Sequence, residues 1–144
     1  MTKKRNYPLL QHIRPYAQRI ALFTCMCMWM GIAGCTGHSD IKNITPEECN
    51  ALLKQQDVQL VDVRTEQEYG NGHLKDAILI NIQGQNFTTN ATQQLDKQKP
   101  VILYCRSGRR SMQAAKTLVN EGFTMVYNLK GGILAWQAEG LPTE

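Results

Sequence analysis

Short runs of apolar residues, rich in valine, isoleucine and leucine, divide the chain and predict buried β-strands. The clearest run is VILY at 101–104, which directly follows Pro100. Runs without polar alternation are typical of strands that are covered on both faces, as in parallel sheets. The predicted strands are residues 60–63, 77–80, 101–104 and 125–127.

Helical spacing of apolar residues between these runs predicts helices. Thr45, Pro46 and Glu48 form an N-cap, a first-turn proline and a capping-box partner, so a helix is expected from 46 to about 55. Another is expected from Met112 to a C-terminal cap at Gly122. Shorter helices are expected near residues 66–69, 89–95 and 133–138. Strands that alternate with helices predict an α/β fold, a parallel sheet of about five strands flanked by helices on both faces.

The stretch CRSGRRS at 105–111, between a predicted strand and a predicted helix, is expected to form a polar loop. Such a loop directs backbone N–H groups inward and carries the positive end of the helix dipole, so it can cradle an anion. The same surroundings favour a thiolate, so the pKa of Cys105 should lie below that of an ordinary cysteine. The residues expected to line the cradle are Arg106, Ser107, Gly108, Arg109, Arg110 and Ser111. An inert structural cysteine is the alternative.

The basic residues are concentrated at the N-terminus. Of 16 lysines and arginines, five lie in the first nineteen positions, which leaves 11 basic against 12 acidic residues in the rest of the chain. That part has a net charge of −1, so its composition does not favour nucleic-acid binding.

Residues 1–34 have the features of a secretory signal peptide. The basic start is followed by an uncharged apolar segment at 20–33, shorter than the about 20 residues that span a bilayer. The segment ends in IAGC at 32–35, which resembles the lipobox of bacterial lipoproteins. The resemblance implies a signal peptide (1–34), a lipidated Cys35 with a short tether (35–40), and a domain (41–144) on the cell envelope facing the periplasm. An uncleaved anchor helix is the alternative, and the inner and outer membranes both remain open.

Two cysteines lie in the predicted domain, Cys49 and Cys105. They can pair in an oxidising compartment, but they are too few for a disulfide framework. Because Cys49 shares helical spacing with Leu52 and Leu53, it is predicted to be a core residue rather than a redox partner.

Four segments of residues 41–142 resemble, in order, the motifs of the rhodanese family of sulfurtransferases in its single-domain form. The third is the cysteine loop described above, and in the second Lys75-Asp76 replaces the family's usual Pro-Gly. The segments are DVR at 62–64, YGNGHLKDA at 69–77, CRSGRRS at 105–111 and LKGGILAW at 129–136.

The resemblance implies a rhodanese-like fold and a ping-pong sulfur transfer. A small anionic donor such as thiosulfate would leave a persulfide on Cys105, and a thiol or cyanide would accept the outer sulfur. Backbone N–H groups of 106–111 would stabilise the persulfide, and the arginines Arg106, Arg109 and Arg110 would attract the donor. No cofactor, no metal and no nucleic acid are expected, and the protein is expected to be a monomer.

Three further residues are predicted to support the site. Asp62 and Cys105 both follow strands, and the carboxyl ends of parallel strands are where such sheets bind ligands. We expect Asp62 and Arg64 to form a buried pair beneath the loop, and His73 to satisfy a buried hydrogen bond rather than act as a base. Trp136 is expected in the core.

Two other functions compete with this one. Phosphatases and arsenate reductases of this fold need an arginine six positions after the cysteine to wrap an oxyanion, but Ser111 stands there and Arg110 comes one position earlier. A non-catalytic rhodanese-like module would bind a partner or carry a persulfide in the envelope. The cysteine at 105 favours the catalytic interpretation.

Overall fold

A computed structural model describes residues 41–55 and 57–144. The predicted signal peptide (1–34), the lipidation site Cys35 and the tether (35–40) lie outside the described residues. Within this part of the chain, no helix combines the length and apolar character needed to span a membrane. The elements are β1 (Lys42–Ile44), α1 (Pro46–Leu53), β2 (Gln59–Asp62), α2 (Glu66–Gly70), β3 (Ile78–Leu79), α3 (Phe87–Gln94), β4 (Val101–Tyr104), α4 (Arg109–Asn120), β5 (Val126–Leu129) and α5 (Gly132–Ala138).

The strands form one five-stranded sheet in the order β1-β5-β4-β2-β3. The central strand β4 pairs with β2 and β5, and Leu103 lies opposite Val61 on one side and Asn128 on the other. Because all neighbouring strands are parallel, the connections must cross over the sheet, and the helices supply these crossovers. The predicted parallel α/β sheet is therefore confirmed.

Strand β4 contributes to the core on both faces of the sheet. Val101 and Leu103 pack in a cluster with α3 and α4, whereas Ile102 and Tyr104 pack in a cluster with α1 and α5. All four side chains are fully buried, which explains why this run shows no polar alternation. Cys49 lies in the second cluster and is also fully buried, as predicted, and burial raises its pKa to about 12.

The predicted helix ends are found close to their expected positions. The capping box of α1 is formed, with the Glu48 N–H 3.3 Å from Thr45 Oγ1 and the Thr45 N–H 2.8 Å from Glu48 Oε2. The helix ends at Leu53 rather than near 55. Gly122 follows α4 with a φ of +90°, the left-handed conformation that commonly ends a helix.

The start of α4 differs from the prediction. The helix begins at Arg109 rather than at Met112, so Arg109, Arg110 and Ser111 form its first turn instead of belonging to the loop. The Arg109 side chain is exposed, the Arg110 side chain forms an ion pair, and the Ser111 hydroxyl contacts the sulfur of Cys105. The spacing of apolar residues therefore does not reveal this turn.

Strand β1 has no counterpart among the four predicted runs. Two of its three residues are exposed and Ile44 alone is buried, so its apolar pattern is too short to stand out. Strand β5 extends to Leu129, beyond the predicted end at 127. The prediction stopped early because the buried polar residue Asn128 interrupts the apolar run. Strand β3 is shorter than predicted, and α3 begins at Phe87 rather than near 89.

Candidate active site

Cys105 lies where the central strand ends and the chain turns into α4. The turn depends on Gly108, the residue before the helix, which has a left-handed φ of +88°. A Cβ atom there would lie 3.1 Å from the carbonyl oxygen of Leu129 and 3.2 Å from the backbone nitrogen of Gly131. Glycine therefore supplies both the conformation and the close approach to the chain after β5.

The sulfur of Cys105 is enclosed by donors from this loop. The Gly108 N–H lies 3.2 Å from Sγ, the Ser111 hydroxyl lies 3.5 Å from it, and the residue is only 1% exposed. Burial opposes ionisation, but hydrogen bonds from the Ser111 hydroxyl and from the N–H groups of Ser111, Ser107 and Gly108 outweigh it, so the pKa of Cys105 is lowered. The loop is built to hold a negative charge on sulfur.

The first turn of α5 fixes the outer side of the loop. The Ile133 N–H donates to the carbonyl of Cys105 at 2.9 Å, and the Leu134 N–H donates to that of Arg106 at 3.3 Å. A Cβ atom on Gly132 would overlap the Cys105 carbonyl oxygen and lie 2.7 Å from that of Arg106. Because α5 binds these carbonyls on one side, the N–H groups of the loop remain available to the sulfur on the other.

The three arginines predicted around the cysteine differ in their surroundings. Arg106 and Arg109 are exposed. Arg110 is partly buried and forms a bidentate ion pair with Glu68 of α2, with nitrogen–oxygen distances of 2.8 and 2.6 Å. The hydrogen bond from Arg110 is the main cause that lowers the pKa of Glu68 to about 2. The same pair raises the pKa of Arg110, and attraction to the nearby Cys105 adds to the effect.

Asp62 and Arg64 form a buried ion pair at the end of β2. The Arg64 side chain donates to both Asp62 carboxylate oxygens, the shortest distance being 2.6 Å, and to the carbonyl of Gly72 at 2.8 Å. Its guanidinium carbon lies 5.6 Å from the ring centroid of Tyr104, the residue before the cysteine. The pair thus packs beneath the strand end that carries Cys105 and ties it to the segment after α2.

His73 contacts neighbouring residues of its own segment. Its Nδ1 lies 3.2 Å from the carbonyl oxygen of Tyr69, and the two rings stack with centroids 3.7 Å apart. The His73 N–H donates to the carbonyl of Glu144 at 2.7 Å, and the Glu144 N–H donates to the carbonyl of His73 at 2.9 Å. The expected hydrogen bond is present, but it is only partly buried, because the side chain lies half-buried at the edge of this segment.

Two residues beside the loop were not identified from the sequence. Glu68 is the third residue of helix α2 and closes its Thr65-x-x-Glu68 capping box. That sequence signal marks the helix start but not the contact with Arg110. Asn128 is 3% exposed, donates to Asn43 Oδ1 at 2.8 Å, and has Nδ2 3.8 Å from the position that a Cβ atom on Gly108 would take. Within residues 41–55 and 57–144, no three His, Cys, Asp or Glu side chains are grouped to hold a metal ion.

This fold and site define a class of α/β proteins in which a cysteine follows a central parallel strand and is enclosed by an N–H-lined loop. Residues 45–139 match the family model described as the rhodanese-like domain. The chain therefore belongs to the rhodanese-like family.

Known relatives agree with this assignment. The chain is 40% identical to a sulfurtransferase of Allochromatium vinosum over 91 residues, which cover 63% of this chain and 82% of that protein. It is 36% identical to the thiosulfate sulfurtransferase GlpE of Coxiella burnetii over 98 residues, 67% of this chain and 88% of that protein. The solved rhodanese-like domain of an Anabaena protein superposes with a TM-score of 0.66 at 28% identity, covering 73% of this chain and 80% of that one. Its relatives thus include sulfurtransferases.

Proposed function

We propose that this protein is a sulfurtransferase that moves a sulfane sulfur from thiosulfate or a similar donor to a thiol or cyanide through a persulfide on Cys105. The observation that carries the proposal is the enclosed Cys105 sulfur, whose pKa is lowered by the Ser111 hydroxyl and three backbone N–H groups despite burial. A lowered pKa favours the thiolate, which is the nucleophilic form of cysteine.

The transfer takes two displacement steps. In the first, the Cys105 thiolate attacks the outer sulfur of thiosulfate, the S–S bond of the donor breaks, and sulfite leaves with the bonding electron pair. In the second, a thiolate or cyanide attacks the outer sulfur of the Cys105 persulfide, and the enzyme thiolate is released. The donors around the Cys105 sulfur would also stabilise the persulfide anion.

The composition of the loop supports transfer of one sulfur atom rather than a phosphoryl group. Ser111 occupies the sixth position after the cysteine and directs its hydroxyl to the sulfur. The arginine one position earlier, Arg110, has both terminal nitrogens bound to Glu68. Cysteine phosphatases need a guanidinium that wraps the oxyanion, so this arrangement does not favour them. Arg106 and Arg109 are the exposed charges that would attract an anionic donor.

We also propose that the protein acts as a monomer held to the bacterial cell envelope by a lipid on Cys35, facing the periplasm. The lipobox-like IAGC at 32–35 supports this proposal. Expression in a bacterium fed a radiolabelled fatty acid tests it. Label should enter the wild-type protein and be lost in Cys35→Ala, and light scattering of the detergent-extracted protein should give one chain per particle.

Incubation of the full chain, purified in mild detergent, with thiosulfate tests the enzymatic proposal. We expect intact mass spectrometry to show one added sulfur atom on Cys105 and cyanide to yield thiocyanate. Both should be lost in Cys105→Ala and kept in Cys49→Ala, which removes the buried core cysteine. A persulfide without turnover would favour the carrier module, and the absence of added sulfur would refute the proposal.

A further inference from the structure

Arg110 lies near the reactive sulfur, and a carboxylate already engages its two terminal nitrogens. Its two terminal nitrogens bind the two carboxylate oxygens of Glu68 at 2.8 and 2.6 Å. These paired donors are the ones with which an arginine clasps a carboxylate, sulfate or phosphate. Glu68 therefore occupies the place that the oxyanion end of a ligand would take on this arginine.

The Glu68 carboxylate is itself held in position. Its Oε2 accepts hydrogen bonds from the Thr65 N–H at 3.2 Å and from the Thr65 hydroxyl at 3.1 Å. Helix α2 is tied down by the Tyr69 hydroxyl, which donates to the carbonyl of Ala77 at 2.9 Å. A ligand that is to bind Arg110 must displace a carboxylate that is fixed by its own helix.

We propose that Glu68 is a specificity-determining residue, which keeps Arg110 from binding the oxyanion end of a sulfur donor. This inference rests on the proposed sulfurtransferase function and names its substrate class, namely sulfane-sulfur donors of low charge, such as thiosulfonates and small persulfides. Such donors need only the cradle around Cys105 and the exposed Arg106 and Arg109. Doubly charged oxyanions, including thiosulfate, sulfate and phosphate, bind less well than they would on a free Arg110.

The substitution Glu68→Gln removes the charge and preserves the shape. Glutamine is an accepted capping-box partner at the third position of a helix, so α2 should still begin at the same residue. With Arg110 released, we expect the KM for the dianion thiosulfate to fall about tenfold, the size of one charge-assisted hydrogen bond. The KM for the monoanion methanethiosulfonate should fall much less. Sulfate and phosphate should become competitive inhibitors at about tenfold lower concentration.

Both donors undergo the same displacement, so a comparison of their KM values isolates the effect of the donor's charge. The Cys105 thiolate attacks the sulfane sulfur of methanethiosulfonate, the S–S bond breaks, and methanesulfinate leaves with the electron pair. Glu66→Gln is the matched control, because Glu66 lies on the same helix, is exposed, and its carboxylate accepts a hydrogen bond from Asn81 rather than from an arginine. It should leave both KM values unchanged.

The double variant Glu68→Gln/Arg110→Gln separates specificity from structure. If Glu68 acts through Arg110, the gain in thiosulfate affinity must vanish when Arg110 is also removed. A purely structural role would instead lower kcat in Glu68→Gln and leave the ratio of the two KM values unchanged. That result would overturn the inference.

The failure of this inference is distinguishable from failure of the proposed function. If the full-length wild type in detergent transfers sulfur but Glu68→Gln keeps its KM ratio and sulfate inhibition, the inference is wrong and the function stands. If the wild type forms no persulfide with either donor, the function is wrong. In that case, the protection of Cys105 by sulfate against alkylation with iodoacetamide tests the role of Glu68 without any need for sulfur transfer. Protection at lower sulfate concentration in Glu68→Gln supports the role, and equal protection overturns it.

Discussion

Replacing Gly132 with alanine tests whether α5 holds the active-site loop in shape. A methyl group at this position would overlap the carbonyl oxygen of Cys105 and lie 2.7 Å from that of Arg106. These carbonyls accept the hydrogen bonds from Ile133 and Leu134 that fix the outer side of the loop. The loop must therefore move away from α5, and its N–H groups must turn away from the sulfur.

The expected cost follows from two contributions. Gly132 has a φ of +60°, and an L-residue in this left-handed region costs about 1–2 kcal/mol. The two lost hydrogen bonds, from Ile133 and Leu134, add about 1 kcal/mol each. Gly132→Ala should therefore lower the free energy of unfolding by about 3–4 kcal/mol. It should also raise the pKa of Cys105, because the donors that lower it are displaced.

Gly140→Ala is the matched control. Gly140 has a similar φ of +68°, but no heavy atom lies within 4 Å of the position that its new Cβ atom would take. It should therefore show the conformational cost of about 1–2 kcal/mol alone and leave the site intact. Urea unfolding measures the stability of both variants, and the pH dependence of iodoacetamide alkylation measures the pKa of Cys105. If Gly132→Ala matched Gly140→Ala in both assays, the supporting role of α5 would be refuted.

Three further changes test other parts of the site. Ser111→Ala removes the hydroxyl 3.5 Å from Sγ, so the alkylation profile of Cys105 should shift to higher pH, and an unshifted profile would contradict the hydrogen bond. Asp62→Asn leaves the buried Arg64 without its counterion and should cost about 3–5 kcal/mol in urea unfolding, whereas Asp57→Asn, in an exposed pair with Lys99, should cost almost nothing. Because the pKa of Glu68 is lowered to about 2, its stabilising effect should be complete above its unfolded pKa of about 4.3 and be lost as the pH falls toward 2. The stability difference between wild type and Glu68→Gln should thus shrink over that range, and a difference independent of pH would contradict the pair.

The strands of the sheet were predictable where all of their residues are buried among apolar neighbours, because such a strand is a continuous apolar run in the sequence. All four residues of β4 are buried between two helical layers, so the run VILY indicates both a strand and its place in the middle of the fold. Strand β1 was not predicted because it has a single buried residue, Ile44, and therefore no periodic pattern of apolar residues. The predicted end of β5 came too early because Asn128, a polar residue within the strand, is buried with a side-chain hydrogen bond rather than by apolar contact.

The candidate site was predictable where chemistry depends on local sequence. The cysteine, the glycine turn and the serine donor lie within one stretch, and the structure brings Cys105, Gly108 and Ser111 together. The surroundings of Arg110 depend on a residue 42 positions earlier in the chain, Glu68, and no local pattern shows such a contact. The three arginines look equivalent in the sequence, but in the fold Arg106 and Arg109 are exposed whereas Arg110 forms an ion pair.

The central claim is that Cys105 accepts a sulfur atom by displacement. A single-turnover reaction of the full chain with thiosulfate measures it most directly, with sulfite release and sulfur bound to Cys105 quantified in the same sample. We predict one sulfite released for each persulfide formed on Cys105, and neither product in Cys105→Ala. Sulfite released without sulfur on Cys105, or sulfur bound only at another residue, would contradict the account.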